Sequence, residues 1–135
     1  MFETFQIIGH RGWKAKYPEN TLLSFEKSIE AGATMIEFDI QLTKDNKLIV
    51  FHDDTAKRLC GRHLEICRAS SDALSELKVK DEPVSFLPNV FDRFDDDVNY
   101  YVELKTFKNS TIEYKRKLTF YTINEIMRRN LRSKC

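Results

Sequence analysis

The residues of this chain best suited to chemistry stand where apolar runs end. The run at residues 5–8 leads into His10-Arg11-Gly12, and the run at residues 48–51 leads into His52-Asp53. Two other apolar segments carry ionisable side chains two positions apart, Glu37-x-Asp39 and Glu103-x-Lys105. Isolated charges are costly to bury, so such groups need partners. Taken singly, each pair also fits a strand that turns one face to water. Taken together, Glu37, Asp39 and Glu103 would make an all-oxygen cluster, the donor set of a hard divalent cation, Mg²⁺ or Ca²⁺, rather than of zinc. Imidazole titrates near neutrality, so His10 and His52 could supply a base and an acid. Arg11 and Lys105 would add positive charge beside the metal, which suits a phosphate held while its bridging oxygen leaves.

Elements that end at one rim must position these groups. Gly9 and Gly12 loosen the backbone after the first run, which reads as a buried strand delivering His10. Leu22, Phe25 and Ile29 recur at helical spacing between Pro18 and Gly32, which predicts a helix over 21–31 capped by Asn20 or Thr21. Residues 35–42 alternate Ile36, Phe38, Ile40 and Leu42 with Glu37, Asp39 and Gln41, the period of a strand. A turn at 44–47 leads to the strand ending at His52-Asp53; if the two strands pair as a hairpin, Asp39 is expected opposite His52, and if they run parallel both still end on one rim. Further expectations are a helix from Ser71 to about Lys78, a short one begun by Pro88 with Val90, Phe91 and Phe94, a strand over 100–105 and a basic helix over 111–131. This order is that of an α/β fold.

Bulk properties bound the answer. The chain has 135 residues, 41% hydrophobic and 32% charged, with 4 Gly and 3 Pro, which suits one globular core rather than a disordered chain. Its 3 cysteines, Cys60, Cys67 and Cys135, form no CxxC pair and read as reduced thiols. His63 and Glu65 beside Cys60 and Cys67 fit no zinc spacing. No run is long enough for a membrane span, and residues 1–6 lack the features of a signal peptide, so a cytoplasmic or peripheral membrane location is expected. The net charge of +1 hides an asymmetry: residues 1–104 carry 13 Lys and Arg against 19 Asp and Glu, whereas 105–135 carry 9 against 2. That basic segment reads as a solvated helix or as a contact for an anionic membrane; without an aromatic platform or motif, no nucleic-acid partner is expected.

In sequence order, His10-Arg11-Gly12, Pro18-Glu19-Asn20-Thr21, Glu37-x-Asp39, the Leu42-Thr43-Lys44-Asp45 turn, Phe51-His52-Asp53 and Glu103-x-Lys105 resemble the glycerophosphodiester phosphodiesterase family. The resemblance implies a TIM-type (β/α)₈ barrel of the phosphatidylinositol phospholipase C kind. It also implies a metal held by Glu37, Asp39 and Glu103, His10 and His52 as base and acid, and Arg11 and Lys105 on the phosphate. The implied reaction converts glycerophosphodiesters to an alcohol and glycerol 3-phosphate, by attack of a neighbouring glycerol hydroxyl or of water. The insert Trp13-Lys14-Ala15-Lys16-Tyr17 is similar to members that cleave intact phospholipids such as phosphatidylglycerol. A full barrel takes about 200 residues or more. The expectation is therefore an N-terminal half domain of about four strands over 1–105 and a basic helical tail over 106–135, with the Cys60–Cys67 region a loop over the barrel mouth. An open half-barrel exposes strand edges, which predicts aggregation or self-association into a ring. A fragment that binds metal and phosphate without turnover is the rival reading.

Overall fold

A computed structural model describes residues 5–135; the reading of the first residues as lacking a leader falls partly on residues 1–4, outside that range. Strand β1 (Ile8–His10) and β2 (Met35–Leu42) are joined through helix α1 (Leu22–Glu30) and pair in parallel, Gly9 opposite Ile36. Helix α1 begins where Thr21 accepts a hydrogen bond from the Ser24 N–H. Asn20, the other candidate cap, turns inward instead. β1 is displaced from its expected place: Ile7 bonds to Thr34 and Met35, and the ladder itself starts at Ile8.

Strand β3 (Leu48–Val50) returns antiparallel to β2, with Ile40 opposite Val50. The Phe51 N–H donates to the Asp39 carbonyl at 2.9 Å, so Asp39 faces Phe51 and not His52, one residue from the expected register. The connecting turn closes with Thr43 N–H on Lys47 O, and it sets this register. Then come α2 (Lys57–Cys60), a 3-10 turn at Ile66–Arg68, α3 (Ser71–Ser75), and the short strands β4 (Lys78–Val79), β5 (Glu82–Pro83) and β6 (Ser85–Phe86). Helix α3 stops short of Lys78 because Leu77 turns into a second core formed with Ile49, Phe51, Ala56, Ile66 and Leu74. Helix α4 (Leu87–Phe94) leads to β7 (Asn99–Leu104), which joins the far edge of β2 in parallel, and α5 (Ile112–Arg128) follows.

The frame is a partial barrel: β1, β2 and β7 run parallel, and the fourth strand expected, β3, is an antiparallel extension of β2. The alternation of β2 separates two buried environments. Ile36, Phe38, Ile40 and Leu42 pack under the helices with Phe25, Phe91 and Tyr100, whereas Glu37, Asp39 and Gln41 occupy the other face and are buried too. That face is therefore enclosed rather than turned to water. The basic segment after residue 105 lies on the same core, burying Leu118 and Leu131, and the Tyr114 hydroxyl accepts from the Leu42 N–H at 3.1 Å. Among the described residues no helix is long and apolar enough to cross a membrane.

Candidate metal and phosphate site

β2 and β7 bring the three acidic residues together. Asp39 is the register partner of Glu103, and Glu37 lies two residues before it on the same face. Ligand atoms of Glu37, Asp39 and Glu103 all lie within 4.8 Å of one another. Asp39 is fully buried and Glu37 nearly so, while Glu103, on the outer strand, is about half exposed.

Cations and amides surround this cluster. Asn20 donates through Nδ2 to Asp39 Oδ2 at 3.0 Å. Arg11 Nε lies 3.2 Å from the same oxygen, and Lys105 Nζ is 3.7 Å from Asp39 Oδ1 and 2.9 Å from Glu103 Oε1. The backbone N–H of Arg11 donates to Glu37 Oε2 at 2.9 Å. Burial pushes the Glu37 carboxyl up, helped by the charges of Asp39 and Glu103 and opposed by that N–H bond. The hydrogen bond from Lys105 holds Glu103 below the usual carboxylate range. Asp39 Oδ1 is buried without a hydrogen-bond partner. An orphaned carboxylate oxygen inside an all-oxygen donor set fits a hard divalent cation.

The two histidines flank the cluster in different surroundings. His10, at the end of β1, has its Nε2 3.7 Å from Glu37 Oε2 and its Nδ1 3.1 Å from Lys14 Nζ. Burial, then Lys14 and Arg11, lower its affinity for a proton. His52 follows β3, and its Nδ1 is 2.7 Å from Asp53 Oδ1. Gln41 pins the segment by donating to the carbonyls of Phe51 and Asp53 at 2.8 and 2.7 Å. Arg58 holds the Asp53 carboxyl down at about 2, with His52 contributing.

All seven residues singled out from the sequence thus stand around one rim. Sequence reasoning offered Asn20 only as a helix cap and gave no role at the site to it or to Glu19, Asp53 or Arg58. Asn20 carried a faint signal, a polar residue beside a helix cap; it sits at φ 58°, a conformation asparagine tolerates better than most residues. Arg58 carried none, because its contact with Glu19 spans 39 positions. The Cys60–Cys67 segment closes through a bridge between Thr55 and Glu65 and packs Ile66 into the second core.

The model of the "Glycerophosphoryl diester phosphodiesterase family" matches residues 10–132. A glycerophosphodiester phosphodiesterase of Bacillus subtilis is 34% identical over 116 residues, which cover 73% of this chain and 39% of that protein. The crystal structure of a glycerophosphodiester phosphodiesterase from Thermotoga maritima superimposes with a TM-score of 0.77 at 36% identity, over 93% of this chain and 51% of that one. One from Parabacteroides distasonis gives 0.84 at 28% identity, over 96% and 53%. The chain spans about half the length of these solved structures and less of the Bacillus relative.

Proposed function

The chain belongs to the glycerophosphoryl diester phosphodiesterase family, and from that premise we propose that it hydrolyses glycerophosphodiesters to an alcohol and glycerol 3-phosphate. The observation that carries this reading is the cluster of Glu37, Asp39 and Glu103, with Arg11 and Lys105 beside it and a histidine on either flank. Glu37, Asp39 and Glu103 would hold one divalent cation, Mg²⁺ or Ca²⁺. Bound there, such an ion supplies Lewis-acid stabilisation of charge on phosphoryl oxygens.

The chain's own groups do the rest. Arg11 and Lys105 hold the phosphate diester by charge-assisted hydrogen bonds, and their anchoring to Asp39 and Glu103 limits how far they move. One histidine takes the proton of the attacking hydroxyl, either from water directly or from the substrate's own glycerol, in which case the cyclic glycerol phosphate so formed is opened to glycerol 3-phosphate by water in a second, mirror-image step. The new P–O bond forms as the bond to the leaving alcohol breaks, and the other histidine gives that alcohol its proton. Asp53 holds the His52 ring at Nδ1 and leaves Nε2 for the substrate, so His52 is assigned as the acid and His10 as the base.

A second reading has its own support. Glu103 is about half exposed and no strand among the described residues pairs with the far edge of β7, so the site is walled on one side. On this reading the half-barrel binds metal and phosphate without turnover, or gains its other wall by self-association. Exposed Phe120, Ile123 and Met127 on basic α5 support peripheral contact with an anionic lipid surface. The test is release of glycerol 3-phosphate from glycerophosphocholine by the purified chain with Mg²⁺ or Ca²⁺. Turnover abolished both by a chelator and in His10→Ala supports the first reading. Saturable binding of the ester without product supports the second, and neither turnover nor binding overturns both.

A further inference from the structure

Arg58 joins the two ends of the site, and the chemistry proposed above gives it no part. Its guanidinium lies between two carboxylates and meets each with two contacts. Nε donates to Asp53 Oδ2 at 2.6 Å and Nη2 to Asp53 Oδ1 at 2.9 Å. Nη1 donates to Glu19 Oε2 at 3.0 Å and Nη2 to Glu19 Oε1 at 2.8 Å. Each carboxylate then holds a second group. Asp53 Oδ1 lies 2.7 Å from His52 Nδ1, and Glu19 Oε1 accepts from Arg11 Nη1 at 3.3 Å. One side chain thus closes a line of contacts from His52 through Asp53, Arg58 and Glu19 to Arg11.

The local structure aims Arg58 into that place. It sits on α2, a single turn ended by Gly61 in the left-handed region at φ 68°. The loop around the turn is closed by Ala56 N–H on Leu64 O and Ile66 N–H on Asp54 O, each 2.9 Å, and Ala56 and Ile66 are fully buried. The Arg58 side chain itself is 49% exposed, so its ion pairs contribute little to stability and their value lies in geometry. A planar fork serves two carboxylates at once, which the point charge of lysine does not do.

We propose that Arg58 is a positioning residue: by fixing Asp53 it holds His52 in the tautomer protonated at Nδ1, and by sharing Glu19 with Arg11 it couples the acid end of the site to the phosphate clamp. The proposal rests on the roles given above to His52 and Arg11, and its test is independent of turnover. With Asp53 fixed, Nδ1–H of His52 is committed as a donor and Nε2 is the nitrogen left to exchange a proton with substrate.

The experiment is long-range ¹H–¹⁵N correlation on histidine-labelled protein at about pH 8, where an unperturbed imidazole is neutral. The His52 signals are assigned by their loss in His52→Asn. The wild-type ring is expected to be mainly Nδ1–H. In Arg58→Ala the Nδ1–H fraction falls at least twofold, and Arg58→Lys lies between. Glu19→Gln, which touches neither His52 nor Asp53, shifts the ring in the same direction by less, and the Glu19→Gln/Arg58→Ala pair goes no further than Arg58→Ala alone. Circular dichroism confirms that each variant is folded; should the alanine variant not fold, Arg58→Lys carries the test. A wild-type tautomer retained in a folded Arg58 variant, or a wild-type ring protonated mainly at Nε2, overturns the proposal.

Discussion

Asp39 stands directly opposite Glu103 in the parallel register of β2 and β7, and Lys105 Nζ sits between them, 3.7 Å from Asp39 Oδ1 and 2.9 Å from Glu103 Oε1. Like charges opposed across a sheet repel. Here the sheet accepts that cost at a place where Glu37 adds a third carboxylate and where Arg11 and Lys105 are the cations in contact with the cluster. Three carboxylates against two cations leave an excess of negative charge in a largely buried place, the condition in which a bound divalent ion stabilises the fold as well as the chemistry.

Asn20 separates two effects that meet at one residue. Its amide bonds to buried Asp39, and its backbone lies at φ 58°. Asn20→Ala loses both the hydrogen bond and the tolerance for that backbone, and is expected to cost about 1–3 kcal/mol in denaturant unfolding for the bond alone, with strain added. Asn20→Gly keeps the backbone free and loses only the bond. The glycine variant should therefore be the more stable of the two; equal losses would mean that the backbone there carries no strain.

Two glycines on either side of His10 should respond differently to a methyl group. A Cβ at Gly9 would clash with the Ser28 side chain, whereas one at Gly12, where φ is +76°, would clash with the Ser24 hydroxyl and also with the Ser24 backbone carbon at 2.6 Å and carbonyl oxygen at 2.7 Å. Gly9→Ala is expected to lower the thermal midpoint and to be partly rescued by Ser28→Gly, since the clash is with a side chain. Gly12→Ala should cost about 2 kcal/mol or more, and Ser24→Gly should not rescue it, because backbone is in the way. Rescue at both positions, or at neither, would contradict this distinction.

The carboxyl of Asp53 gives a pH signature. Arg58 and His52 hold it at about 2 against an ordinary value of 3.8. A carboxylate depressed on folding stabilises the native state above its unfolded pKa, and that contribution is lost as pH falls through the folded value. A shift of this size is worth about 2 kcal/mol at most, given that the side chain is partly exposed. The difference in unfolding free energy between wild type and Asp53→Asn should shrink as pH falls between about pH 4 and 2. A difference that does not change over that interval would show that Asp53 gains nothing from its partners on folding.

What could be read from the chain beforehand follows from the range of the forces involved. Helix α1 was legible because its apolar spacing and its cap at Thr21 are local, and β2 because Glu37 and Asp39 alternate with Ile36, Phe38 and Ile40. The acidic cluster was legible through the motifs that carry it. The hairpin register was missed by one residue because it depends on the closing bond between Thr43 and Lys47, which the sequence of the turn does not display. Strands β4, β5 and β6, of two residues each, are too short to show a period. Arg58 was invisible for another reason: its partner Glu19 lies in a different motif, and only the folded loop brings the two together.

The most direct measurement is titration of Mg²⁺ and of Ca²⁺ into the folded chain, followed by calorimetry and by the thermal midpoint, for wild type, Asp39→Asn and Glu103→Gln. Saturable binding of one ion per chain, reversed by chelator, is expected to raise the wild-type midpoint by a few degrees at an excess of about 100 times Kd. Both variants should lose most of that shift. A folded wild type that neither binds nor is stabilised at roughly 10 mM of either ion, or variants that bind as well as it does, would contradict the assignment of Glu37, Asp39 and Glu103 as the metal site.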